Sequence, residues 1–252
     1  MSGGVKPQKI CKFRRYLQKY CKASLRVIEF DQSILDSLPI FFSVEVYMRL
    51  FAQFLLPNDL DRVLYLDADI IVLQDLQKFY NQDFGGNYYV AAADFGENNT
   101  LIASIKSAFG IQDKTYVNSG VLLMNLSALR EHTSFDEILS KLHEWKNKLK
   151  LPDQDFLNAY FKDNIKICSG DYNYQLGVEH SVSKEKLKNI FVLHYTYEKP
   201  WSWNSNYSKN KYYCKVRLAQ GHLIEYAVRT VIRICYYCYL SGVYKIKQIF
   251  RT

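Results

Sequence analysis

The feature that most constrains this chain is an apolar run broken by two carboxylates, Arg62-Val63-Leu64-Tyr65-Leu66-Asp67-Ala68-Asp69-Ile70-Ile71-Val72-Leu73. Its Val, Leu, Tyr and Ile residues read as a strand buried on both faces, where a carboxylate is costly unless a proton, a donor or a cation neutralises it. Residues i and i+2 of an extended segment project to the same side, so Asp67 and Asp69 can converge on one point. A divalent cation fits that point. Mg²⁺ or Mn²⁺ takes carboxylate oxygens and leaves positions open for a diphosphate, whose charge on departure it offsets. The competing reading is a strand that ends at Leu66, with both acids on a solvated turn. The apolar Ile70-Ile71-Val72-Leu73 beyond the pair speaks against it.

At 252 residues the chain is long enough for one sizeable core. Its 21 Tyr and 15 Phe mark stacking or interfacial surfaces. The net charge of +8 is concentrated: residues 209–252 carry nine Lys and Arg against one acid, Glu225, while 1–208 are balanced. Within that tail, Gly221 to Tyr239 reads as an amphipathic helix. A basic, aromatic-rich helix suits an anionic membrane surface, each cation near it contributing on the order of 1 kcal/mol. The alternative is a helix docked on the body with a solvated basic face. No DNA- or RNA-binding motif accompanies the charge, which places nucleic acid last among partners.

Six scattered cysteines, Cys11, Cys21, Cys168, Cys214, Cys235 and Cys238, suit free thiols in a reducing compartment better than a disulfide framework. Cys235-Tyr-Tyr-Cys238 has no second pair at a zinc spacing and reads as helix packing. The start, Met-Ser-Gly-Gly-Val-Lys-Pro, has no apolar signal core, and no run of about eighteen uncharged apolar residues spans a bilayer. The expectation is a cytoplasmic protein, peripheral on the inner face of the plasma membrane.

Along the chain, Gln8 to Lys22 reads as an amphipathic helix, Leu25 to Phe30 as a short strand, and Ser43 to Leu55, which contains Arg49, as a helix ending before Pro57. Tyr88 to Ala93 reads as a strand ending on Asp94, another acid at a strand terminus. Leu101 to Phe109 reads as a surface helix. Tyr116 to Leu126 is a polar approach followed by a buried strand, and Ser127 to Lys150 a helical stretch. After Pro152, Asp153 suits an N-cap. Ile165 to Cys168 and Ile190 to Leu193 are strands, the second running into His194. His132, His143, His180 and His222 read as ordinary. Strands alternating with helices predict an α/β fold with a mainly parallel central sheet flanked by helices.

Four ordered segments carry a resemblance: Arg62 to Leu76, Val117-Asn118-Ser119-Gly120-Val121-Leu122-Leu123, Asp153-Gln154-Asp155-Phe156-Leu157-Asn158, and His194-Tyr195 with Lys199-Pro200-Trp201. Over roughly residues 10 to 203 they resemble the family 8 glycosyltransferases, which include glycogenin and bacterial galactosyl- and glucosyltransferases of lipopolysaccharide assembly. The resemblance implies a GT-A fold, with a catalytic domain over 8–208 and the basic tail at 209–252. It also implies transfer of a hexose from a UDP-sugar, with retention of configuration and Mn²⁺ or Mg²⁺ as cofactor. The acceptor would be a glycolipid or saccharide. His194 then joins Asp67 and Asp69 as a metal ligand. Arg49 resembles the arginine that contacts the donor, and Lys199 the lysine that touches the diphosphate. Asp94, Asn118, Asp153 and Gln154 resemble residues around the sugar and acceptor. Because Gln154 is a poor nucleophile, the reading favours same-face attack by the acceptor, with Asp153 and Asp94 orienting hydroxyls.

Two departures stand out. Family members begin with a strand, a helix and a second strand, the first strand ending in a loop that holds uracil and ribose. Nothing before Gln8 supplies these: either the chain is shortened at its start or a different segment completes the sheet, and the alternative to an active enzyme is an inactive transferase-like binding domain. The last motif places His194 and Lys199 five apart, without the usual Gly near Tyr197.

Overall fold

The structure is a computed structural model that describes residues 6–21, 23–28, 44–176, 182–197, 199–201 and 212–216. Helix α1 (Pro7–Tyr16) continues through a π-helical turn, Leu17–Cys21. Of the strand expected over Leu25 to Phe30, residues 25–28 are not in a strand, and 29 and 30 lie outside the described residues. The expected helix around Arg49 is a 3₁₀ helix, Val44–Phe51, followed by the short α2 (Ala52–Leu55).

The apolar run of residues 62–73 is two strands in two sheets: β1 (Arg62–Leu66) and β2 (Ile70–Val72). Then follow α3 (Gln77–Tyr80), β3 (Tyr89–Ala93), α4 (Thr100–Phe109) and β4 (Val117–Asn125). The helical stretch after β4 divides into α5 (Leu126–His132) and α6 (Phe135–Trp145), because Thr133 is extended and Ser134 caps the second helix through Glu137 N–H. Last come α7 (Pro152–Tyr160), β5 (Ile165–Cys168), β6 (Tyr174–Gln175), α8 (Lys184–Leu187) and β7 (Val192–His194).

The first sheet has the order β1-β4-β3-β5. Strands β1, β3 and β5 run one way and β4 runs against them. The α/β layering with flanking helices is as expected, but β4 makes two of the three pairings antiparallel, so the sheet is mixed rather than mainly parallel. Among the described residues strand β1 has a partner on one side only, and it is half-buried, not buried on both faces as its composition suggested. The smaller sheet, β2-β7-β6, pairs β2 antiparallel and β6 parallel to β7.

Alternation along β4 builds the core on both sides of the first sheet. Leu122 and Met124 join Tyr47, Phe51, Tyr89, Leu142 and Phe156 on one face. Val121 and Leu123 join Phe79, Val90 and Val192 on the other. A third cluster covers the small sheet with Leu176, Ile190 and Leu193, and Tyr212 and Tyr213 of the tail pack against it. Helix α4 is not purely a surface helix, since Ile102 and Ile105 are buried against Tyr116.

Two polar devices hold the frame that carries the site. The Arg130 guanidinium of α5 donates to the carbonyls of Gln53, Leu56, Pro57 and Leu60, which fixes the loop entering β1. The Asn158 amide of α7 pairs with both backbone groups of Val117, accepting from N–H at 2.7 Å and donating to C=O at 2.8 Å. It takes the place of a neighbouring strand where β4 begins, and so sets α7 against the sheet end.

Among the described residues no helix is long and apolar enough to cross a membrane. Cys11, Cys168 and Cys214 are free thiols. Gly221 to Tyr239, with His222, and the Cys235/Cys238 pair lie outside the described residues, as does His180.

Candidate active site

Because β4 runs against its neighbours, its N-terminal end meets the C-terminal ends of β1 and β3. Asp67 leaves β1 there, Asp94 leaves β3, and Asn118 and Ser119 open β4. Asp67 N–H still donates to Gly120 O at 2.9 Å, prolonging the ladder by one residue. The chain then turns through Ala68 and Asp69 and enters the small sheet at Ile70, directly opposite His194. Asp67 and Asp69 therefore converge through a turn between sheets, not through the alternation of one strand.

At that junction Asp67, Asp69 and His194 present ligand atoms that all lie within 4.8 Å of one another. His194 Nε2 is 3.3 Å from Asp69 Oδ1 and 3.8 Å from Asp67 Oδ2. Room for this convergence depends on Gly120: a Cβ there would stand 2.2 Å from His194 Cε1 and 2.8 Å from Asp67 Oδ2. Two carboxylates and an imidazole, packed around a space that only glycine leaves open, fit a divalent cation.

Each ligand is held from behind. Tyr65 O–H donates to Asp67 Oδ1 at 2.6 Å, and Arg49 Nη2 lies 2.9 Å from the same oxygen. The Arg49 guanidinium stacks over the Tyr65 ring at 4.6 Å, donates to Ser119 O at 2.7 Å and bridges to Asp153 at 3.2 Å. Lys199 Nζ donates to Asp69 Oδ2 and, at 3.0 Å, to Tyr195 O. Burial pushes the Asp69 carboxyl up, but His194 and Lys199 prevail and hold it down to about 2.

Beside the cation position lies a polar wall from β3, β4 and α7. Asp94 Oδ2 accepts from Asn118 Nδ2 and Gln154 Nε2, each at 3.1 Å. Gln154 Oε1 accepts from Asn118 Nδ2 at 3.0 Å and Ser119 N–H at 3.1 Å. Asp153 is not the N-cap of α7, a position held by Leu151 with Pro152 first in the helix. Its carboxylate instead turns inward to Ser119 Oγ at 2.8 Å and to Arg49. Burial pushes this carboxyl up, with Arg49 and Ser119 opposing. Asp155 closes the turn before the helix by accepting from the N–H groups of Lys150 and Leu151.

The structure thus brings Arg49, Asp67, Asp69, Asp94, Asn118, Asp153, Gln154, His194 and Lys199 into one polar assembly. Tyr65 and Asn173 also belong to it, and neither stands out in the sequence. Tyr65 reads as one more apolar strand residue, and Asn173 sits in a turn with no motif around it. His132 is ordinary, stacked on Tyr88.

A family model described as glycosyl transferase family 8 matches residues 1–205. The chain is similar to the glycosyltransferase GlyF of Streptococcus pneumoniae serotype 4, with 29% identity over 71% of this chain and 44% of the relative. It is also similar to the lipopolysaccharide 1,2-glucosyltransferase of Escherichia coli strain K12, with 27% identity over 79% of this chain and 64% of the relative. The chain spans about half the length, or less, of the first curated relatives it matches. Among solved structures, the galactosyltransferase LgtC in complex with donor and acceptor sugar analogues aligns with a TM-score of 0.69 and 24% identity, covering 81% of this chain and 78% of that one. At that identity the likeness shows the GT-A fold.

Proposed function

The chain belongs to glycosyltransferase family 8, and from that premise we propose that it is a retaining, metal-dependent hexosyltransferase that moves glucose or galactose from a UDP-sugar to a glycolipid or polysaccharide acceptor. The observation that carries this reading is the convergence of Asp67, Asp69 and His194 at the sheet junction, with Gly120 leaving the space. Mn²⁺ or Mg²⁺ bound there would supply Lewis-acid stabilisation of the negative charge on the departing diphosphate.

The chain's own groups do the rest. Lys199, half-exposed beside Asp69, brings an ammonium to the same negative charge. Arg49 has its donors directed to Asp67, Asp153 and Ser119, so it serves here to aim two carboxylates. Asn118, Asp94 and Gln154 form the wall against which the donor sugar and acceptor hydroxyl lie. Gln154 Oε1 already accepts from two N–H donors, which draws electron density away from it as a nucleophile. That supports attack by the acceptor on the face the diphosphate leaves, with Asp94 and Asp153 orienting hydroxyls. Residues 8–208 form the catalytic part in this reading. The basic excess of 209–252 supports attachment to an anionic membrane surface on the cytoplasmic side.

Calorimetric titration of UDP, with Mn²⁺ and with chelator, tests the reading. Binding is expected only with metal, and Asp69→Asn should weaken it at least tenfold without lowering the thermal midpoint by more than a few degrees. Metal-independent binding, or unchanged affinity in the variant, would sink the ligand assignment. A second reading, a transferase-like domain that binds without turnover, is favoured by β1, which among the described residues has a partner on one side only. It predicts UDP binding with no hydrolysis of any UDP-hexose.

A further inference from the structure

Asn173 ends the 3₁₀ turn Gly170–Asn173 ahead of β6 and is fully enclosed, 2% exposed. Its amide lies between two residues of the site. Oδ1 is 2.9 Å from His194 Nδ1, and Nδ2 is 2.9 Å from Asn118 Oδ1. Amide orientation and imidazole tautomer follow from the network around them. Here two members of that network have no choice of role.

The Gly120 N–H can only donate, and it meets the Asn118 amide at 3.0 Å, so oxygen faces it. The Asp94 carboxylate accepts, and it meets the other end of the same amide at 3.1 Å, so nitrogen faces it. With Asn118 fixed in this way, its oxygen needs a donor from Asn173. Asn173 therefore turns its nitrogen to Asn118 and its oxygen to His194. The ring therefore carries a proton on His194 Nδ1 whatever its charge: a second proton on Nε2, shared with Asp69 Oδ1, makes the ring cationic and holds that carboxyl down, and once it leaves the Nε2 lone pair faces Asp69 Oδ1 and Asp67 Oδ2. Three electron-rich atoms facing one another are favourable only around a positive charge.

We propose that Asn173 is a positioning residue that holds His194 in the Nδ1–H form, with Nε2 directed at the two carboxylates. Through Asn118 it also ties that orientation to Asp94 and Gln154, so the cation position and the sugar wall share one directed chain of hydrogen bonds. This role rests on the metal reading above for its consequence, but its geometry stands without any bound ion.

The test is ¹⁵N–¹H correlation spectroscopy of the histidine rings in the full chain, metal-free and saturated with Mg²⁺. It is run at alkaline pH. His194 Nδ1 is expected to carry a proton in both samples. A neutral ring protonated at Nε2 alone overturns the proposal. Two variants then divide the role. Asn173→Ala removes both bonds, whereas Asn173→Asp keeps an acceptor for Nδ1–H and loses the donor to Asn118. Mn²⁺ affinity, read by electron paramagnetic resonance, should fall about 10–100-fold in Asn173→Ala and stay within about threefold in Asn173→Asp. The Asn118 side-chain amide resonance should shift in both. Equal Mn²⁺ affinity in Asn173→Ala and wild type overturns the proposal. If the alanine variant does not fold, the wild-type spectrum and the aspartate variant decide. A wild-type chain that shows Nδ1–H and binds no Mn²⁺ upholds the orientation and overturns the metal reading instead.

Discussion

Gly120 shows how much a single hydrogen in place of a side chain can decide. It lies inside β4, where any residue could continue the ladder, yet a methyl group there would press on both His194 and Asp67. Gly120→Ala should cost about 1–3 kcal/mol of stability through overpacking and lower Mn²⁺ affinity at least tenfold. Urea titration and calorimetry read the two effects, and a variant with wild-type metal affinity would show that the space is not needed. A second residue-scale expectation concerns the thiols. Burial pushes Cys168 up to about 12, whereas Cys11 is exposed. At about pH 8.5 only on the order of one Cys168 thiol in a few thousand is ionised. Iodoacetamide should label Cys11 in the native chain and spare Cys168, and comparable labelling of both would contradict the burial. At this scale Asp67 and Asp69 were legible because carboxylates inside an apolar run are unusual, whereas His194 and Lys199 were legible only through the resemblance. Tyr65 and Asn173 were not, because a tyrosine in a strand and an asparagine in a turn look the same whether or not a carboxylate or imidazole, distant in sequence, depends on them.

Strand β4 and helix α7 were the elements most plainly written: nine consecutive residues from Val117 to Asn125, and a proline-led polar turn. Other boundaries followed from contacts that local pattern does not carry. An apolar run does not say which sheet receives it, so residues 62–73 read as one strand although they serve two. Two turns of apolar spacing around Arg49 do not separate a 3₁₀ from an α-helix. The docking of α7 on β4 hangs on Asn158, whose amide satisfies both backbone groups of Val117. Asn158→Leu leaves those groups buried and unpaired, at about 1–3 kcal/mol each. The midpoint of urea unfolding should fall accordingly, and because Gln154 lies one turn earlier on α7, UDP-sugar turnover should fall more than UDP affinity. An unchanged midpoint would mean that another contact sets the helix.

For the molecule as a whole, charge is the testable quantity. If the excess of nine cations over one acid in 209–252 meets a membrane, the full chain should sediment with vesicles containing anionic lipid and not with neutral ones. Attraction should fade as salt rises from about 0.05 to 0.5 M, since the screening length shrinks below about 10 Å. Replacing Lys245, Lys247 and Arg251 with Glu should abolish it, and binding that ignores both salt and these substitutions would point to another surface. The fold class was legible at this scale because alternating strands and helices leave few architectures. The meeting of two sheets at one corner was not, since it depends on His194 pairing with Ile70 across 124 positions of chain. That pairing makes the site a joint between two bodies of structure: one sheet supplies Asp67 and the other His194, with Asp69 on the turn between. Whatever draws the sheets together must favour the ion, and the ion must favour whatever draws them together, by the same factor. If donor and acceptor sugars bind on the wall beside that joint, as proposed above, each should raise cation affinity as much as the cation raises theirs, a reciprocity that paired calorimetric titrations can measure.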